Sequence, residues 1–298
     1  MASTKLDLEI QLSGFQDHLK KQGKTPKTIE CYYLDSKLFL EWLQKNNTSC
    51  RQITPETLIA YQEDLALKDA TENSIRRKAI SIRQFFRYLC KTKVILDSPF
   101  DLIPIPERND ALPPQPDEDV VKIILQSFSK PKNRKESRDL AIMTLLGLEG
   151  IKASEIIEIK KKHFNQVAKM STLRIPGPKP RTIRLNPKTD KALTTYISQS
   201  LENKSNQSEY LFQGFKGKEC AITLPKLTRH GLKFALYEIG QQAGVEKLNA
   251  EKLRHHAIIH LLRSGASMEA IMAHLGLKRP GNIAKHARKL EQSKTAKR

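Results

Sequence analysis

Apolar residues recur at three- and four-residue spacing through most of the chain, the pattern of helices with one buried face. Leu8, Ile10, Leu12, Phe15 and Leu19 form the first stripe. The next segment opens TPKTIE, with Thr25 placed to cap a helix and Pro26 at its first position, and carries Ile29, Tyr33, Leu34, Phe39, Leu40 and Trp42 on a broad apolar face. Thr54, Pro55 and Glu56 repeat that opening ahead of a third helix. The fourth, NSIRRKAISIRQFFRYLCKTK, sets Arg76, Arg77, Arg83 and Arg87 among Ile75, Ile80, Ile82, Phe85, Phe86 and Leu89. Four such helices can bundle on their own. The four arginines fit either a solvated helix face or contact with phosphate.

Pro113, Pro114 and Pro116 then stiffen the chain and disfavour helix, which predicts a domain of residues 1–107, a linker at 108–116 and a second domain at 117–298. Helical spacing resumes in PDEDVVKIILQSF and ESRDLAIMTLLGLEG, and KASEIIEIKKKHF reads as a short helix running into a basic stretch. One strand pair is predicted, STLRIP and RTIRLN, where branched residues flank the turn GPKP. KTDKALTTYISQSL is helical, the polar, glycine-bearing NKSNQSEYLFQGFKGKEC reads as loop, and four more helices follow to the end, the last being NIAKHARKLEQ. The predicted class is mainly α with a small β-sheet.

Charge sharpens this division. Residues 1–110 hold 17 basic and 15 acidic side chains, whereas residues 111–298 hold 35 and 17. Solubility needs charge anywhere, but binding a phosphate backbone needs it concentrated where contact occurs, so the imbalance points to a polyanionic partner. With 298 residues and 39% hydrophobic content the chain can bury a core without staples. Cys31, Cys50, Cys90 and Cys220 form no CxxC pair, which argues against a disulfide framework or a cysteine zinc module and for the reducing cytoplasm. No apolar run approaches the roughly 18 to 20 residues of a membrane span. His256 and His260 are spaced i and i+4, yet no acidic residue follows His256 as in HExxH and no third ligand is evident, so no metal or other cofactor is expected.

The block NAEKLRHHAIIHLLRSGASMEAIMAHLG resembles the C-terminal signature of the tyrosine recombinases, the phage-integrase and Xer-type family. Leu253, Arg254, His255, His260, Leu261, Leu262, Gly265, Ile271, Leu275 and Gly276 fall in register with it. Upstream, LLGLEGIKASEIIEI is similar to the family's GLRxSEL segment, and the strand pair around GPKP to the hairpin that carries its lysine. TPKTIECYYLDSKLFLEWL and RRKAISIRQFFRYL resemble its core-binding helices. The resemblance implies a SAM-like four-helix core-binding domain followed by a mixed α+β catalytic-type domain, the pair embracing double-stranded DNA.

In that family a tyrosine hydroxyl attacks a DNA phosphodiester while cationic donors stabilise the charge that develops on phosphorus. The family's first arginine falls on Lys152, which keeps charge and loses the planar fork. The second is Arg254, for which a phosphate or an internal partner at Glu251 or Glu155 would each account. The hairpin lysine falls on Lys179 or Arg181, Glu251 stands at the first histidine position, and Leu277 at the later histidine or tryptophan position. The nucleophile position falls on His286, and the last tyrosine of the chain is Tyr237. Loss of one preorganised donor alone costs about 10²- to 10³-fold in rate. The resemblance therefore implies a pseudoenzyme, an accessory or architectural DNA binder, with a second copy or an active recombinase as partner through the C-terminal helix. The alternative is an active recombinase that uses His286 or a nucleophile supplied in trans. His255 and His260 are expected to be satisfied structural histidines.

Overall fold

The computed structural model describes residues 2–48, 53–101, 103–107, 118–127, 130–167, 170–201, 208–216 and 221–295. The chain forms two compact units, Met1–Ala111 and Leu112–Arg298. The stretch expected to be a linker, 108–116, lies outside the described residues.

The first unit is built of α1 (Ala2–Lys21), α2 (Pro26–Lys45), α3 (Pro55–Leu67) and α4 (Glu72–Lys91). Thr25 caps α2 as its sequence predicts, its hydroxyl accepting the Thr28 amide at 3.2 Å, and Thr71 does the same for α4. At α3 the bond runs the other way, from the Thr54 amide to the Thr57 hydroxyl at 3.1 Å. The core is aromatic. Phe39 meets Trp42, Tyr61, Phe86 and Phe100 with ring centroids 5.0 to 6.2 Å apart, mostly edge to face. Burial, reinforced by the nearby Asp35 charge, pushes the Tyr61 phenol up to about 12.

Asp35 is buried within this bundle and is held by Arg77, by Lys78 at 3.4 Å and by the Ser81 hydroxyl at 2.8 Å, which locks α2 to α4. The other arginines of α4 turn the same way, toward partners inside the unit. Arg76 donates to the Pro106 carbonyl at 2.6 Å, Arg83 to the Ile103 carbonyl, and Arg87 to Asp101 at 2.9 Å. They act as braces for the segment that follows α4, a use that neither a solvated face nor a phosphate stripe anticipates. Arg77 and Arg87 keep 43% and 51% of their side chains exposed.

The second unit contains α5 (Glu118–Ser127), α6 (Arg134–Gly147), α7 (Ala153–Ile156), a 3₁₀ turn at Lys161–His163, β1 (Phe164–Asn165), β2 (Thr172–Ile175), β3 (Arg181–Arg184) and α8 (Pro187–Leu201). After these come β4 (Gly214–Lys216), β5 (Ala221–Leu224), α9 (Arg229–Gln242), α10 (Ala250–Arg263), α11 (Met268–Leu275) and α12 (Gly281–Thr295). The predicted strand pair is β2 and β3. β1 adds a third antiparallel strand in the order β1-β2-β3, with Leu173 opposite both Phe164 and Ile183. Leu173, Ile175, Ile183 and Leu185 line its buried face. The segment expected to be loop also contains β4, paired antiparallel with β5. Three residues beside glycine leave almost no alternation to read, and pairing with Ala221–Leu224 supplies what local pattern does not.

Helix α6 is buried from Ser137 to Gly147 except at Leu140, and the run after Asp139 is apolar but for Thr144. It packs against α8 on one flank and α10 on another. Gly150 follows it at φ 67°, where a Cβ would lie 2.7 Å from Leu275 and 3.2 Å from Ala257, so only glycine lets α11 and α10 close over this turn. Among the described residues no helix is long and apolar enough to cross a membrane.

The Asp35 lock sets a first expectation. Asp35→Ala strips Lys78 and Arg77 of their acceptor and lowers stability by about 2 kcal/mol in urea denaturation, with a change below about 0.5 kcal/mol showing that the buried carboxylate is not what fastens α4.

Candidate functional site

Four chain segments far apart in sequence converge on a cleft of about 550 Å³ in the second unit. Lys152, Ala153 and Ser154 come from the start of α7, Arg229 from the first position of α9, and Ala250, Glu251, Arg254, His255 and Ile258 from α10. Leu277 and Arg279 come from the turn after α11. Each segment has a local reason to start or stop there. The Lys152 amide donates to the Glu155 carboxylate at 3.0 Å, Thr228 caps α9 through the Gly231 amide at 3.0 Å, and Asn249 caps α10 through the Lys252 amide at 2.9 Å. Gly276 ends α11 at φ 65° in the left-handed region.

The cleft is cationic and its cations are unspent. Arg254 is buried, yet among the described residues no hydrogen bond or ion pair to its guanidinium is found. Burial works against its charge and lowers its pKa, opposed by the more distant Glu251 and Glu155 carboxylates. A guanidinium still remains charged at neutral pH. Lys152, Arg229 and Arg279 likewise have no ion pair among the described residues. Among the described residues Glu251 is the one carboxylate lining the cleft. Its pKa is lowered by its hydrogen bond with His255, with the Arg254 and Lys152 charges acting in the same direction.

The resemblance put the hairpin lysine at Lys179 with Arg181 as the alternative, and the structure gives the two different places. Arg181 forms a two-pronged pair with Glu155 at 2.8 and 3.2 Å and donates through Nε to the His274 carbonyl at 2.6 Å. It packs so tightly on Gly276 that a Cβ there would sit 2.8 Å from its guanidinium. It is a strut between the hairpin and α11, outside the cleft lining. Lys179 lies exposed in the turn between β2 and β3. Neither Glu155 nor Glu251 takes up Arg254, because Glu155 is committed to Arg181 and Glu251 is turned to His255.

His286 sits on α12 at 1% exposure and does not line the cleft; its Nε2 lies 2.7 Å from Nδ1 of His255, also buried. His256 donates from Nδ1 to the Gly147 carbonyl at 2.9 Å and stacks on His260. Leu277 lines the cleft with carbon only. No group of three or more metal-ligating side chains is found among the described residues. Ser154, Arg229 and Arg279 are lining residues that sequence reasoning missed. Arg229 carried a signal, since a positive charge in the first helical turn opposes the helix dipole and makes sense when an anion is to be met there.

A SAM-like helical bundle and a mixed unit with the catalytic-domain fold of the tyrosine recombinases are thus on hand. The chain belongs to the phage integrase family, matching it over residues 116–292, and residues 12–93 match the phage integrase N-terminal SAM-like domain. It is 25% identical over 273 residues to the tyrosine recombinase XerC of Lacticaseibacillus casei (strain BL23), covering 89% of each chain. It is 27% identical over 260 residues to the tyrosine recombinase XerD of Vibrio cholerae serotype O1, covering 86% of this chain and 83% of that one. Among solved structures it is similar to the XerH site-specific recombinase bound to a palindromic difH substrate in a post-cleavage complex. That likeness has a TM-score of 0.72 at 19% identity, covering 94% of this chain and 84% of the other. A lambda integrase dimer bound to a COC' core site gives a TM-score of 0.68 at 13% identity, covering 94% of each chain.

Burial works against ionisation of Glu155, but the Arg181 hydrogen bonds, the Lys152 amide and both positive charges outweigh it and hold its pKa below the usual carboxylate range. A depressed folded-state pKa contributes stability that is complete above the unfolded value of about 4.3 and is lost as pH falls through the folded value. Glu155→Gln is therefore expected to lower stability by about 2 kcal/mol at pH 7, with the gap between variant and wild type narrowing in urea titrations taken below about pH 4.

Proposed function

We propose that the protein binds double-stranded DNA through the cationic cleft and does not cut it, serving as an accessory or architectural member of its family in the cytoplasm. The observation that carries this reading is at position 286. The residue in register with the family's nucleophile is a histidine, buried and hydrogen-bonded to His255, and no tyrosine follows Tyr237. The same burial tells against His286 as a replacement nucleophile, since its Nε2 faces His255 and not the cleft. Leu277 and Glu251, where the family places proton-bearing donors, add no proton to a leaving oxygen.

Retention of binding has equally specific support. Arg254 is buried with no ion pair among the described residues, a costly arrangement unless an anion completes it, and Lys152, Arg229 and Arg279 line the same cleft. Relatives in the comparison are seen on DNA, including XerH on its difH substrate and lambda integrase on its core site. Lys179 is exposed in the second unit, and in the first unit Arg77 and Arg87, though paired with Asp35 and Asp101, keep 43% and 51% of their side chains exposed for phosphate contact. A second copy or an active recombinase is the proposed protein partner, through α12.

Incubation with nicked duplex substrates is expected to give no covalent protein–DNA adduct on denaturing gels, and recovery of one would refute the loss of cleavage. Duplex binding is expected to weaken steeply with salt, by about 0.9 log units per phosphate contact for each decade of salt. Arg254→Ala and Arg279→Ala should each weaken it about tenfold or more at moderate salt and reduce that slope by about one contact. Affinity no greater than that of an unrelated basic protein would overturn the reading.

A further inference from the structure

Glu251, His255 and His286 form a chain that leads from the cleft into the protein. The Glu251 Oε1 atom is 3.4 Å from Nε2 of His255, and Nδ1 of the same ring is 2.7 Å from Nε2 of His286. The two imidazoles are 3% and 1% exposed, with centroids 4.9 Å apart. The Glu251 side chain is two-thirds exposed at the cleft end. The chemistry of the three groups orders the hydrogens. A carboxylate only accepts, so the hydrogen between Glu251 and His255 belongs to Nε2 of His255. In a neutral imidazole the other nitrogen then has only a lone pair, and Nδ1 must accept from Nε2–H of His286.

We propose that His286 is a positioning residue: its Nε2–H holds His255 in the Nε2-protonated tautomer, so that His255 presents a neutral N–H donor to an anionic oxygen in the cleft. Every hydrogen in the chain points from α12 toward the cleft, and Glu251 occupies the place on His255 that a phosphate oxygen would take. His255 thereby offers an uncharged donor among Lys152, Arg229, Arg254 and Arg279, in a site where Leu277 offers none. The donor role rests on the anion-binding reading above, whereas the order of the hydrogens stands without it. The pair also fastens α12 to α10, because a histidine on each helix supplies one half of a buried hydrogen bond.

The test uses the full chain with ¹⁵N-labelled histidine and long-range ¹H–¹⁵N correlation spectra at neutral pH. Resonances of His255 and His286 are assigned among the eight histidines by single replacement with Gln. The expected pattern is a protonated Nε2 and unprotonated Nδ1 on His255, with a coupling across the hydrogen bond to a protonated Nε2 on His286. A hydrogen on Nδ1 of His255, in a neutral ring or an imidazolium, overturns the proposal without any variant. His286→Gln, whose carboxamide still donates, is expected to preserve the His255 tautomer. His286→Met, which cannot donate, is expected to give a mixture, and an unchanged spectrum in that variant would show that His286 does not set it. Titration with inorganic phosphate should move the Nε2–H resonance of His255; if the resonance stays still, the donor role fails. Salt-dependent duplex binding, measured separately, judges the DNA reading on its own.

Discussion

One buried positive charge, with no counter-ion among the described residues, governs the second unit. A guanidinium removed from water is costly unless paired, and elsewhere this protein pairs its buried charges with care. Arg138 has Asp139 beside it and the Gln213 carbonyl within 2.9 Å, and Arg181 has both oxygens of Glu155. Arg254 receives nothing comparable, although two carboxylates lie close enough to affect its pKa. What keeps it open is the prior commitment of those carboxylates, Glu155 to the hairpin strut and Glu251 to His255. The walls that hold Arg254 in place, through the tight turn at Gly150 and the left-handed end of α11 at Gly276, are therefore also what preserves its hunger for an anion.

Most of the helical architecture was legible because helix period, caps and apolar faces are local properties. Thr25 and Pro26 announced α2, and helical spacing of apolar residues announced α6. The short strands were not legible. β1 has two residues and β4 three, too few for alternation to show, and both exist through partners distant in sequence. The cleft divided in the same way. Lys152, Glu251, Arg254 and Leu277 were found from their register in α10 and its neighbours, and they do share one space. Arg279 was not, since nothing local distinguishes an arginine that faces a cleft from one on an open surface, and Arg229 was missed although its place in the first turn of α9 carried a signal. The arginines of α4 illustrate the converse, a basic stripe whose members are bound to carbonyls and carboxylates of their own unit.

The two units use buried polar groups to different ends. In the first, Asp35 gathers Arg77, Lys78 and Ser81 and leaves that carboxylate satisfied, which fixes how α2 and α4 pack. In the second, the chain of Glu251, His255 and His286 ends at a solvent-facing carboxylate, so one of its members can exchange partners while the others stay put. A satisfied network specifies a fold, and an open-ended one can respond to what arrives.

The tight contact between His255 and His286 also bears on how this lineage can change. Codons for histidine and tyrosine differ by a single nucleotide, so a tyrosine at position 286 is one mutational step away. A phenol ring is longer than imidazole, however, and the space beyond the present ring edge is already held by His255 at 2.7 Å. A tyrosine side chain there would collide with its neighbour unless that neighbour changed as well. The packing at position 286 is thus matched to an imidazole, and a phenol there would call for a second change at position 255.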